Sequence, residues 1–89
     1  MTNCFMLYRN YPNPFNPSTN IKFDIPKSSD VKLIIYDIAG REITKLVNEM
    51  LNAGSYEVSW DASNYTSGVY FYKLISENYI DTKKMVLIK

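Results

Sequence analysis

Apolar and polar residues alternate with a period of two along most of the chain, the pattern of half-buried β-strands. Over residues 20–25, Ile21, Phe23 and Ile25 share one face, with Lys22 and Asp24 on the other. A turn cluster, Pro26-Lys27-Ser28-Ser29-Asp30, follows. Residues 31–37 repeat the alternation with Val31, Leu33 and Ile35, while Ile34 and Tyr36 make the opposite face apolar as well. That second half is therefore predicted to be covered on both sides. Asp37-Ile38-Ala39-Gly40 turns the chain, Gly40 supplying the positive φ of a tight connection. Residues 41–47 return as a weaker strand, and residues 48–53 fit either a longer loop or a helical turn. Gly54 precedes Tyr56, Val58 and Trp60, which alternate with Glu57 and Ser59. A polar loop over 61–67 leads to Gly68 and residues 69–75, apolar on both faces and so predicted to be central. Glu77-Asn78 reads as a short turn in which Asn78 tolerates positive φ. Residues 79–88 are the last strand, ending in Met85-Val86-Leu87-Ile88 between Lys83-Lys84 and Lys89.

Ahead of these six segments lies Asn-Tyr-Pro-Asn-Pro-Phe-Asn-Pro-Ser at residues 10–18. Its prolines fix φ and hold their predecessors extended, so no helix forms there. The stretch is expected to be an ordered arm or edge segment anchored by Tyr11 and Phe15. Short sequential strands joined by turns favour hairpins over crossovers. The fold class is all-β: an antiparallel sandwich of about seven strands, counting a pairing of the arm.

Composition agrees. Nine Ile, five Val, five Thr and thirteen aromatics suit pleated surfaces, and Ala numbers only three. Eighty-nine residues make one domain. A net charge of +1 argues against a generally basic nucleic-acid binder. The longest apolar run, residues 4–8, falls far short of the ~20 residues a membrane helix needs, and no signal peptide is visible at the start. Histidine is absent and Cys4 is the lone cysteine. No histidine base or ligand and no intrachain disulfide can therefore form, and Cys4 is read as an incidental apolar residue. Paired-carboxylate hydrolysis would need two acids facing each other across a cleft, which a sandwich this small has little room for. No catalytic residue, metal or cofactor is expected.

Four weaker features each have two readings. Asp61, Ser63 and Asn64 could offer oxygens to calcium, but they suit backbone capping of their own loop better. Asn64-Tyr65-Thr66 matches a glycosylation acceptor, a pattern frequent by chance. The eight tyrosines could form a stacking platform, although Tyr36, Tyr70 and Tyr72 lie in apolar runs that suit a core. Lys83, Lys84 and Lys89 either guard a terminal edge strand or form a β-strand handle for a partner.

Beyond spacing, the residues carry a resemblance. Asn10-Tyr11-Pro12-Asn13-Pro14-Phe15-Asn16-Pro17 with Thr19 and Ile21, then Val31-Lys32-Leu33, Tyr36-Asp37 and Gly40-Arg41-Glu42, resemble the type A C-terminal sorting domain of the type IX (Por) secretion system. The likeness continues through Ala53-Gly54, Trp60-Asp61 and Ser67-Gly68-Val69-Tyr70-Phe71-Tyr72, to Thr82-Lys83-Lys84-Met85-Val86-Leu87-Ile88-Lys89. It divides the chain into a tail or cloning scar at 1–4 and a sorting domain at 5–89. It implies an Ig-like fold and a role as a non-catalytic label that directs a preceding cargo through the periplasm and across the outer membrane. The partners it implies are translocon components, a sortase-like cysteine peptidase that removes the label, and the covalently joined cargo, which ends secreted or on the cell surface. On this reading Lys83, Lys84 and Lys89 make electrostatic contacts and Met85, Val86, Leu87 and Ile88 dock apolar groups. Asn13, Pro14, Gly40, Arg41, Gly54, Gly68, Val69 and Tyr70 set the shape. Two alternatives stay open: a structural Ig-like spacer similar to that of the flagellar hook-capping protein, and a carbohydrate-binding module, for which a buried Trp60 would be adverse. Free edges of small sandwiches pair readily, so an edge-strand homodimer is compatible with either.

Overall fold

The computed structural model describes residues 4–89; Met1, Thr2 and Asn3, most of the expected N-terminal tail, lie outside the described residues. Seven strands follow one another: β1 (Met6–Leu7), β2 (Ser18–Ile25), β3 (Ser29–Tyr36), β4 (Glu42–Leu51), β5 (Gly54–Asp61), β6 (Gly68–Ser76) and β7 (Tyr79–Leu87). They form two antiparallel sheets, ordered β1-β2-β5 and β4-β3-β6-β7. The segments 26–28, 52–53 and 62–67 carry the chain between sheets, while β3–β4 and β6–β7 are hairpins within one sheet.

The alternation seen in the sequence fills the space between the sheets. Ile21, Phe23 and Ile25 of β2 face Val31, Leu33 and Ile35 of β3 together with Tyr72 and Leu74 of β6, all fully buried. β3 and β6 are the central strands, and Ile34 on the outward face of β3 is covered too. Residues 48–51 are neither loop nor helical turn, and only 52–53 connect: β4 runs on to Leu51 because Asn48 and Met50 pair with Lys32 and Asp30. That long-range pairing leaves no mark on the local pattern.

Tight turns confirm one glycine and move one expectation. Gly40 has φ of 85°, and its N–H donates to the Asp37 carbonyl at 3.0 Å. Nothing lies within 4 Å of where a Cβ would stand. Gly40→Ala is thus expected to cost only the backbone term, about 1–2 kcal/mol, read as a lower urea midpoint. The Asp37 carboxylate caps the same turn, accepting from the N–H groups of Arg41 (2.9 Å) and Ala39 (3.0 Å) and from Arg41 Nε (2.8 Å). These bonds, the one from the Arg41 backbone first, hold its acid below the ordinary value. The stability they give is present above the normal carboxylate range and is lost as pH falls through the lowered value. In the β6–β7 turn the positive φ falls on Glu77, at 51°, rather than on Asn78. Ser76 pairs with Tyr79, so Glu77 is the first of two loop residues, the position a type II′ hairpin requires.

Candidate functional site

The tail singled out by the sequence is β7 and the two residues beyond it. The β6–β7 register is unbroken from Ser76↔Tyr79 to Gly68↔Leu87, so β7 side chains alternate strictly between faces. Odd-numbered residues face inward, and Met85 and Leu87 are fully buried. Even-numbered residues face outward: Lys84 is exposed, Val86 half-buried and Ile80 65% exposed. Beyond the strand, Ile88 and Lys89 are exposed.

The expected apolar docking set is therefore split. Met85 and Leu87 belong to the core, because the register that buries Tyr70 and Tyr72 opposite β7 turns them inward with it. They are not available to a partner while the domain is folded. Val86 and Ile88 remain. Lys83 shares the inward parity and is half-buried, its Nζ 3.8 Å from Asp81 Oδ2. Lys84 points to solvent. Lys89 is accessible but tethered: its N–H donates to Ser67 Oγ at 2.9 Å, and its ammonium donates to the carbonyls of Ser63 and Tyr65.

A clasp holds this tail from outside. The proline arm crosses from the edge of β2 to the edge of β7, where Phe15 makes a parallel bridge with Leu87. The Phe15 N–H donates to the Val86 carbonyl, and the Ile88 N–H donates to the Phe15 carbonyl, each at 3.0 Å. Asn13 Oδ1 accepts the Val86 N–H at 3.0 Å. Asn13 is thus more than a shape residue, since its side chain satisfies an outward N–H of the β7 edge. The Phe15 ring is buried and packs on Trp60 at 5.8 Å between centroids. Tyr11, the other expected anchor, is 79% exposed. Asn10 is buried, and neighbouring side chains of an extended chain point oppositely, so Tyr11 faces out and contributes only its backbone pairing with Asn20.

Asn10 and the Tyr72 hydroxyl complete the clasp, and sequence reasoning missed both. The Asn10 N–H donates to Tyr72 Oη (2.8 Å), which itself donates to the Tyr8 carbonyl (2.8 Å). Asn10 Nδ2 donates to Thr19 Oγ1 and to the Pro12 carbonyl. A tyrosine in an apolar run was the available signal, since a buried phenol needs a partner. Burial pushes its pKa up to about 12.

Beside this end, Arg41, Gly68, Val69 and Tyr70 line one open cleft of about 460 Å³, while Gly40 shapes the adjoining turn. Gly54 stands apart at the start of β5. Asp61 Oδ1 accepts from the Ser63 N–H (2.9 Å) and hydroxyl, which is the loop-capping role. Among the described residues, no group of three or more His, Cys, Asp or Glu could hold a metal ion. No helix there is long and apolar enough to cross a membrane. Trp60 is 4% exposed and packs against Phe15, Tyr65 and Tyr70. A stacking platform built on it is therefore not present.

With this geometry in view, the family model described as secretion system C-terminal sorting domain matches residues 9–89. The chain belongs to that family. No curated protein and no solved structure gives a match. The domain is a C-terminal sorting signal for type IX secretion. It implies a cargo joined on its N-terminal side, recognition by the secretion machinery, and export across the outer membrane. The match begins at Arg9, directly before the arm that clasps β7, so the family unit includes the clasp.

Proposed function

We propose that the sorting domain acts as a folded address label and that the machinery reads the outward side of its tail: Lys84, Val86, Ile88 and Lys89. The observation that carries this reading is the division of the tail into two sides. Its inward residues are used up by the core, and its outward residues form a cationic and apolar ribbon held at fixed spacing by the arm. A pre-ordered ribbon is recognised without the ordering cost a loose peptide would incur. Lys83, being half-buried beside Asp81, contributes at the margin. The readers are outer-membrane translocon components, the cargo reaches them through the periplasm, and a sortase-like peptidase separates label from cargo afterwards. The domain itself makes and breaks no bond.

Residues 5–89, fused behind a periplasmic reporter in a type IX-competent cell, are expected to carry it to the cell surface. Surface protease accessibility and fractionation read the outcome, and a reporter that stays in the periplasm contradicts the proposal. Deleting residues 83–89 should also abolish export. That deletion removes Met85 and Leu87 from the core, however, so it tests folding and recognition together.

A further inference from the structure

The outer edge of β7 has a closed part and an open part. Val86 and Ile88 are engaged by the arm. Alternation along an antiparallel ladder places the N–H and C=O groups of Lys84, Thr82 and Ile80 on that same outward edge. β7 is the last strand of its sheet, and among the described residues nothing pairs with these three.

Other edges are blunted. β1 is two residues long. The register of β4 on β3 slips at Leu33/Ile34 and again at Ile35/Tyr36, and such irregularities twist an edge away from new partners. On β5 the Ala62 N–H donates to the Pro17 carbonyl, so Ser55, Glu57, Ser59 and Asp61 carry the outward groups. Two-fold pairing there about Glu57 would set like carboxylates directly opposite, which is destabilising.

On β7 the same operation gives the reverse result. We propose that its open edge, residues 80–84, pairs antiparallel with the same edge of a second copy of this chain, about a two-fold axis through Thr82. Thr82 then opposes Thr82, and Ile80 opposes Lys84, each pair exchanging two backbone hydrogen bonds. Asp81 opposes Lys83 twice, at the closely spaced positions where side chains approach best. Ile80, 65% exposed in the single chain, is covered by the aliphatic stem of the opposing Lys84. The arm sets the length. Past Lys84 the edge is filled by Asn13 and Phe15, and the opposing chain has there reached its Asn78 turn. The result is a continuous eight-stranded sheet across the axis. Its short contact lies well below the ~1,200 Å² of a stable interface, so association is weak and in exchange.

The test is sedimentation velocity on the 89-residue chain from micromolar to millimolar concentration, with circular dichroism as the check on folding. The mean mass is expected to rise with concentration. Asp81→Lys and Lys83→Asp should each weaken association roughly tenfold, by turning two attractive pairs into two repulsive ones. The double variant should restore it. Thr82→Pro removes an outward N–H and leaves the β6 ladder intact, and should abolish association. In a Cys4→Ser background, Thr82→Cys should be joined into a covalent dimer by a short bifunctional maleimide, because opposed Cβ atoms of a hydrogen-bonded pair lie only about 5.5 Å apart; Thr66→Cys, on an exposed loop, should not. Mass that stays constant with concentration, or single reversals that the double variant fails to rescue, would overturn the pairing. None of these readouts involves the secretion machinery, so their failure leaves the sorting role untouched.

Discussion

Alanine at Phe15 is expected to lower the unfolding free energy by about 3–5 kcal/mol, the range for removing a buried aromatic ring. The residue is 2% exposed, lies against Trp60 and sits between two backbone hydrogen bonds to the tail. Loss of the ring leaves a cavity where the arm's largest buried side chain enters the core. Small domains have only about 5–15 kcal/mol in total, so the variant should be marginal at ambient temperature. Urea unfolding followed by tryptophan fluorescence measures the change, since Trp60 is the sole tryptophan. A loss under about 1 kcal/mol would mean that the arm is a decoration and not a clasp. Tyr11→Ala is the contrast: with a 79% exposed side chain, it should move stability by less than about 0.5 kcal/mol.

Tyr72→Phe should cost about 1–3 kcal/mol, because it strands the Asn10 N–H and the Tyr8 carbonyl that the hydroxyl joins. It also has a pH signature. Burial raises the phenol from 10.0 to about 12. A group whose folded pKa is raised gives stability that is complete below the unfolded value and lost as pH rises through the folded one. The parent chain should therefore weaken between pH 10 and 12. The variant should show a flatter alkaline limb from a lower plateau. Some slope remains, since Tyr8, through its hydrogen bond to Asp24, and Tyr79, through burial, are also raised. An unchanged limb would contradict the placement of the Tyr72 hydroxyl under the arm.

Most of the fold was legible because each strand has a face that must be buried. Ile21, Phe23 and Ile25, set against Lys22 and Asp24, could lie only one way. What stayed hidden depends on residues far apart in the chain. Nothing local announces that Asn48 pairs with Lys32, or that Asn13 reaches the Val86 N–H across 73 positions. The tail was legible as a handle but not in its sidedness. Met85, Val86, Leu87 and Ile88 are all apolar, and a run without alternation does not say which members face the core. Only pairing with Tyr70 and Gly68 assigns Met85 and Leu87 inward. The positive φ at Glu77 was misplaced for a related reason. Residue preference favours Asn78, but the two-residue loop demands the conformation one position earlier.

Recognition of the tail's outward side is tested most directly by changing that side alone. Lys84→Glu, Ile88→Ser and Lys89→Gln combined replace exposed groups, the glutamine amide keeping an N–H donor beside the Ser63 and Tyr65 carbonyls, and should leave the circular dichroism spectrum intact. They should shift the urea midpoint little, because exposed substitutions usually cost under about 0.5 kcal/mol each. Behind a periplasmic reporter in a type IX-competent cell, the folded triple variant is expected to leave the reporter inside, while the parent sequence brings it to the surface. Undiminished surface delivery by the triple variant would show that this ribbon is not what the machinery reads.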